Sequence, residues 1–119
     1  MKSYSIFLAL LLHVQVSLAN TTLIDVRTSS EFSEKHHTNA INIDVQNDDF
    51  KKKISELDKN KSYQVYCRSG RRSGKAAEIM KSLGFKNVEN LGGFDEAGEK
   101  IKKLDPATSQ NETNKGHSR

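Results

Sequence analysis

The chain has 119 residues, with 19 Lys and Arg against 15 Asp and Glu and a formal net charge of +4. That length is one ordinary domain, and the charge excess is too small and too scattered to argue for nucleic acid. A single cysteine excludes an internal disulfide framework.

The first nineteen residues read differently from the rest. Met1-Lys2-Ser3 is a short basic start, Ile6 to Val16 is almost continuously apolar, and Ser17-Leu18-Ala19 has the small-x-small pattern of a cleavage site, so residues 1–19 are expected to be a secretory signal peptide. The apolar run is shorter than the roughly 20 residues of a spanning helix, and His13 and Gln15 interrupt it, so no stable membrane insertion is expected after cleavage. Losing Lys2 would lower the formal charge from +4 to +3.

Thr22 to Val26 is apolar and β-branched, as suits a short buried strand. Thr28-Ser29-Ser30-Glu31 has capping-box spacing and predicts a helix with Phe32 as its first apolar anchor. Ala40 to Ile43 predicts a second strand. Asp49 to Leu57 predicts a helix with Phe50, Ile54 and Leu57 on one face, and its Lys51-Lys52-Lys53 run, set among Asp48, Asp49 and Glu56, is a solvated face. Asp58 to Lys61 is a polar turn, Ser62 to Tyr66 a strand, and Ser73 to Leu83 a helix striped by Ala76, Met80 and Leu83, with Gly84 where a left-handed cap is wanted. Phe85 to Leu91 returns as a strand, and Gly92-Gly93 turns into a last short helix that Pro106 stops. Ala107 to Arg119 is polar without apolar periodicity and is expected to be a disordered tail. Alternating strands and helices favour an α/β domain over residues 20–106, with a small central parallel sheet and helices on both faces.

Cys67 lies between a strand and a helix start, with Arg68, Arg71 and Arg72 close behind it. The carboxyl end of a parallel strand is where open α/β sheets build their sites. First-turn amides, the helix dipole and the three arginines would stabilise an anion there, so the thiol should ionise more easily than a free one. Ser69 and Gly70 let the loop curl so that successive amides turn inward as an anion nest.

Cys67-Arg68-Ser69-Gly70-Arg71-Arg72-Ser73 resembles the C-x-x-G-x-x-S active-site loop of the rhodanese-type sulfurtransferases. Leu23 to Arg27, Ser30-Glu31-Phe32, His36, Ala40 to Ile43 and Leu91 to Phe94 fall in the order and spacing of that family's other signatures. The resemblance implies a rhodanese-like domain in which Cys67 takes the outer sulfur of thiosulfate, holds it as a persulfide and passes it to cyanide or another thiophile. The backbone from Arg68 to Ser73 would cradle that sulfur while the arginines draw in a dianionic donor. It also implies a monomer without cofactor or metal, exported to the periplasm like single-domain members with such a leader.

Ser73 is placed either to donate to the site or to cap the following helix, and the cap weighs more. Asp25 with Arg27, and His36, read as structural. Three positions depart from the family: His37 stands where an apolar residue is usual, Asn39 where glycine is, and Asp44 where proline often is. Asn39 is tolerable because asparagine visits the left-handed region readily. Other readings are weaker. A cysteine phosphatase loop, C-x5-R, needs arginine at position 73, which is serine; a thiol oxidoreductase C-x-x-C is absent; and His36, His37, His117 and Cys67 form no metal-ligand pattern. The serious alternative is a persulfide carrier that hands sulfur to a partner and turns over small molecules poorly.

Overall fold

The computed structural model describes residues 21–104; the leader expected over 1–19 and the tail expected over 107–119 lie outside them. Four strands, β1 (Thr21–Asp25), β2 (Ile41–Asn42), β3 (Ser62–Tyr66) and β4 (Asn87–Gly92), form one parallel sheet in the order β2-β1-β3-β4. Helices α1 (Ser29–Glu34), α2 (Phe50–Ser55) and α3 (Arg71–Ser82) lie between successive strands, and α4 (Phe94–Leu104) follows β4. This is the α/β arrangement that the alternation of elements predicts.

Neighbouring residues of a strand point to opposite faces, and the buried side chains divide accordingly. Ile24, Val26, Tyr63, Val65 and Cys67 pack on one face with Phe50 and Ile54 of α2 and Ala76, Ala77 and Met80 of α3. Leu23, Tyr66 and Leu91 pack on the other with Ala97 of α4 and, at its edge, Phe94 and Ile101. Burial on both faces is why neighbouring residues Leu23 and Ile24 of β1, and Val65 and Tyr66 of β3, are all buried. No described helix is long and apolar enough to cross a membrane.

The elements differ from expectation where non-local bonds intervene. Strand β2 is two residues long because it pairs only with the end of β1, Ile24 with Ile41 and Asp25 with Asn42. Helix α2 ends early, in a tight turn that bonds the Leu57 amide to the Ile54 carbonyl at 2.9 Å. Gly84 is left-handed at φ 97, and the amides of Gly84 and Phe85 bond back to the carbonyls of Lys81 and Met80 in a Schellman closure, which keeps Phe85 in a turn and delays β4 to Asn87. Helix α4, expected as a short last helix, has eleven residues and runs to Leu104. Within β4, Val65 pairs with Asn90 but Tyr66 with Gly92, so Leu91 is an extra residue in the ladder. That shift sets Gly92-Gly93 beside the loop after β3.

Candidate active site

The site is built where β3 ends. The Cys67 amide bonds to the Gly92 carbonyl at 3.1 Å, and the Phe94 amide bonds to the Arg68 carbonyl at 3.1 Å, so the start of the loop is stitched to the Gly92-Gly93 turn. An isolated bridge between Ser69 and Gly93 completes the seam. The packing leaves no room there: a Cβ on Gly93 would stand 2.7 Å from the Arg68 carbonyl oxygen. Gly70 then turns left-handed at φ 96 and heads α3. This conformation, which glycine takes at little cost, brings its own amide back over the sulfur.

Cys67 is buried. Its Sγ accepts the Gly70 amide at 2.9 Å and the Ser73 hydroxyl at 3.3 Å. Burial is the largest single influence on the thiol and pushes its pKa up. The Ser73 hydroxyl and the amides of Ser73, Gly70 and Ser69 together outweigh burial and leave the pKa lowered. None of these leading influences comes from an arginine, so short-range donors are the main support of the thiolate, and Arg72 is coupled to it by charge.

The structure corrects one expected role. Because Gly70 heads the helix, α3 begins at Arg71, two residues earlier than the sequence pattern indicates, and Ser73 sits inside the first turn instead of capping it. Its buried hydroxyl faces Cys67 Sγ, with the carbonyls of Gly70 at 3.1 Å and Gly92 at 3.4 Å also in reach.

The arginines separate. Arg72 makes a two-pronged pair with Glu31 of α1, Nη1 to Oε1 at 2.7 Å and Nη2 to Oε2 at 3.0 Å. The same carboxylate receives the Thr28 amide at 3.4 Å, and the Thr28 hydroxyl accepts the Glu31 amide, which is the capping box anticipated at α1. Arg72 first, and Thr28 second, hold the Glu31 pKa down at about 2. Arg68 lines a cleft of about 440 Å³ with Arg27, Lys35 and Phe94. Arg71 lines a different cleft of about 800 Å³ with Ser69, Lys75 and the segment 45–48.

Beneath the loop, Asp25 and Arg27 form the buried structural pair expected of them. Arg27 Nη2 and Asp25 Oδ2 are 2.6 Å apart, the Arg27 amide donates to Oδ1 at 2.9 Å, and Nη2 also donates to the Lys35 carbonyl at 2.7 Å. His36 stacks on Phe32 with centroids 3.8 Å apart and donates from its ring to the Phe32 carbonyl, which is a structural role. His37 fills its apolar position by stacking on Phe94 at 4.1 Å while its ring nitrogen donates to the Phe94 carbonyl at 2.7 Å. Asn39 is left-handed at φ 68, and the Asp44 carboxylate accepts the Gln46 amide at 2.8 Å, forming a turn without proline. Glu31 as the partner of Arg72 was not anticipated; the capping box was its only sequence signal.

A family model described as rhodanese-like domain matches residues 11–100. The thiosulfate sulfurtransferase PspE of Escherichia coli is 42% identical over 82 residues, which cover 66% of this chain and 77% of that protein. A Bacillus subtilis protein named as a candidate sulfur carrier, YrkF, is 36% identical over 69 residues, 58% of this chain and 36% of that one. Among solved structures, a rhodanese with anions from E. coli superposes with a TM-score of 0.55 at 36% identity, covering 64% of this chain and 89% of the other. With a loop that holds a hydrogen-bonded thiol at a strand end, and with these relatives, the chain belongs to the rhodanese-like domain family of sulfurtransferases.

Proposed function

We propose that this protein transfers the outer sulfur of thiosulfate to cyanide or another thiophile through a persulfide on Cys67. The observation that carries the reading is the Cys67 sulfur at the head of α3, accepting the Gly70 amide and the Ser73 hydroxyl, donors that favour the thiolate. In the first step the thiolate attacks the outer sulfur of thiosulfate. A new Sγ–S bond forms, the S–S bond of thiosulfate breaks, and its electron pair leaves with sulfite. In the second step the carbon of cyanide attacks the outer sulfur of the persulfide, and the Sγ–S pair returns to Cys67 as thiocyanate departs. Charge is conserved in each step and no external oxidant or reductant is needed.

Amides of the loop from Arg68 to Ser73 would hold the sulfane sulfur, and the same donors that stabilise the thiolate would stabilise the persulfide anion. Of the arginines, Arg68 and Arg71 are exposed and available to a dianionic donor, whereas Arg72 is already engaged by Glu31. The leader expected over residues 1–19 would support export, and periplasmic action is part of the proposal. A monomer suffices, because every group named comes from one chain.

The test is a mass measurement. Protein exposed to thiosulfate should gain one sulfur on the peptide containing Cys67, cyanide should remove it, and Cys67→Ser should neither gain it nor turn over. Substantial turnover by Cys67→Ser would refute the mechanism. Similarity to the candidate sulfur carrier YrkF favours one second reading, a persulfide carrier. It predicts the same mass gain with negligible release of thiocyanate.

A further inference from the structure

The cations of the loop are not equivalent, and a residue outside the loop joins the ones that remain free. The cleft of about 800 Å³ has one wall from the segment joining β2 to α2, including Asn47 and Asp48, and the other from Ser69, Arg71, Arg72 and Lys75. Arg72 is neutralised by its two-pronged contact with Glu31. Arg71 and Lys75 form no ion pair among the described residues, and both are exposed. They stand four positions apart in α3, which places them one above the other on the same face of the helix. Asp48 is the one acid lining this cleft, so its local balance is positive once Arg72 is discounted. The cleft on the other side of the loop contrasts with it: there Arg27, Lys35 and Arg68 face Glu31, Glu34 and Asp95.

We infer that Lys75 is a specificity-determining residue, which with Arg71 makes the 800 Å³ cleft the approach for a doubly negative sulfur donor. This deepens the reading of the protein as a thiosulfate sulfurtransferase and rests on it. Lys75 acts before chemistry. It raises the local concentration of the dianion without touching the reacting sulfur, so its effect belongs in KM and not in kcat. Interaction energy is linear in the ligand's charge, so a monoanionic thiosulfonate should feel the energy of Lys75 half as strongly as thiosulfate does.

The experiment uses the full chain and Lys75→Gln, with Lys81→Gln as a control that removes the same charge at the other end of α3. Lys75→Gln should raise KM for thiosulfate about threefold, the size of one solvent-exposed charge contact. It should raise KM for a thiosulfonate only about 1.7-fold, leave kcat unchanged, and lose part of the salt dependence seen below about 0.1 M, where the Debye length is about 10 Å. Lys75→Arg should restore the wild-type values, and Lys81→Gln should never depart from them.

A second readout does not depend on sulfur transfer: the ratio of Cys67 alkylation rates by anionic iodoacetate and neutral iodoacetamide. That ratio should fall in Lys75→Gln alone. A protein that turns over no thiosulfate but shows the fall loses the proposed function and keeps the positive approach. The inference is overturned if Lys75→Gln leaves the ratio at its wild-type value, or if it lowers kcat with KM unchanged.

Discussion

Ser73→Ala isolates how the thiolate is favoured. The Ser73 hydroxyl has one proton and three acceptors in reach, Cys67 Sγ at 3.3 Å, the Gly70 carbonyl at 3.1 Å and the Gly92 carbonyl at 3.4 Å. While Cys67 is a neutral thiol the proton is best spent on Gly70, and once Cys67 ionises it swings to the sulfur. A hydrogen bond to a charged group is worth about 1.5–3 kcal/mol and a neutral one about 1 kcal/mol, so the net support for the thiolate is about 1 kcal/mol. Removing it should lower the ratio of thiolate to thiol about fivefold at any given pH. The fold should hold, because the Gly70 carbonyl keeps the Gly74 amide at 3.0 Å and the Gly92 carbonyl keeps the Cys67 amide at 3.1 Å, leaving no acceptor orphaned.

The assay is the pH dependence of Cys67 alkylation by iodoacetamide, run beside urea unfolding. The alkylation midpoint should move up in Ser73→Ala while the unfolding midpoint barely moves. Linkage gives a second reading of the same bond. Folded Cys67 releases its proton at lower pH than the unfolded thiol, whose ordinary value is 9.0, so wild-type stability should rise with pH across that interval and fall again as pH drops through the folded midpoint. In Ser73→Ala the rise should shrink. Coincident alkylation profiles, or a midpoint that moves down, would refute the assignment of Ser73 as a donor to the sulfur.

Two other perturbations probe the supports of the loop. The Glu31 carboxyl is held at about 2 against an ordinary 4.5, so its contribution to stability is fully present above pH 4.5 and is lost as pH falls towards 2. The pair is partly solvated, so Glu31→Gln should cost about 1 kcal/mol at neutral pH and flatten the acid limb of a thermal-stability profile over that window; an unchanged limb would remove Glu31 from the account. Gly93→Ala places a methyl 2.7 Å from the Arg68 carbonyl, a backbone atom that cannot swing aside. It should cost about 2 kcal/mol in urea unfolding and slow sulfur transfer, whereas wild-type behaviour would mean that the seam between Gly93 and the loop is loose.

Much of this molecule is legible in the sequence because its signals are local. The apolar, β-branched run at Thr22 to Val26, the strand at Ser62 to Tyr66, the capping box from Thr28 to Glu31, and the left-handed closure at Gly84 each depend on residues within a turn or two, and each forms within a residue of where the pattern places it. The position of Cys67 between a strand and a helix follows from the same kind of reading. The tertiary structure decides what distant residues do. Glu31 reaches Arg72 across 41 positions and turns an apparent donor-capturing charge into a tie between α1 and α3. The extra residue Leu91 in β4 brings Gly92-Gly93 against the loop, and the left-handed Gly70 starts α3 at Arg71 and delivers Ser73 to the sulfur. Three arginines close together in sequence part into two clefts and one ion pair, because side-chain direction around a tight loop depends on the backbone path, and that path is set by the strand and turn packed against it.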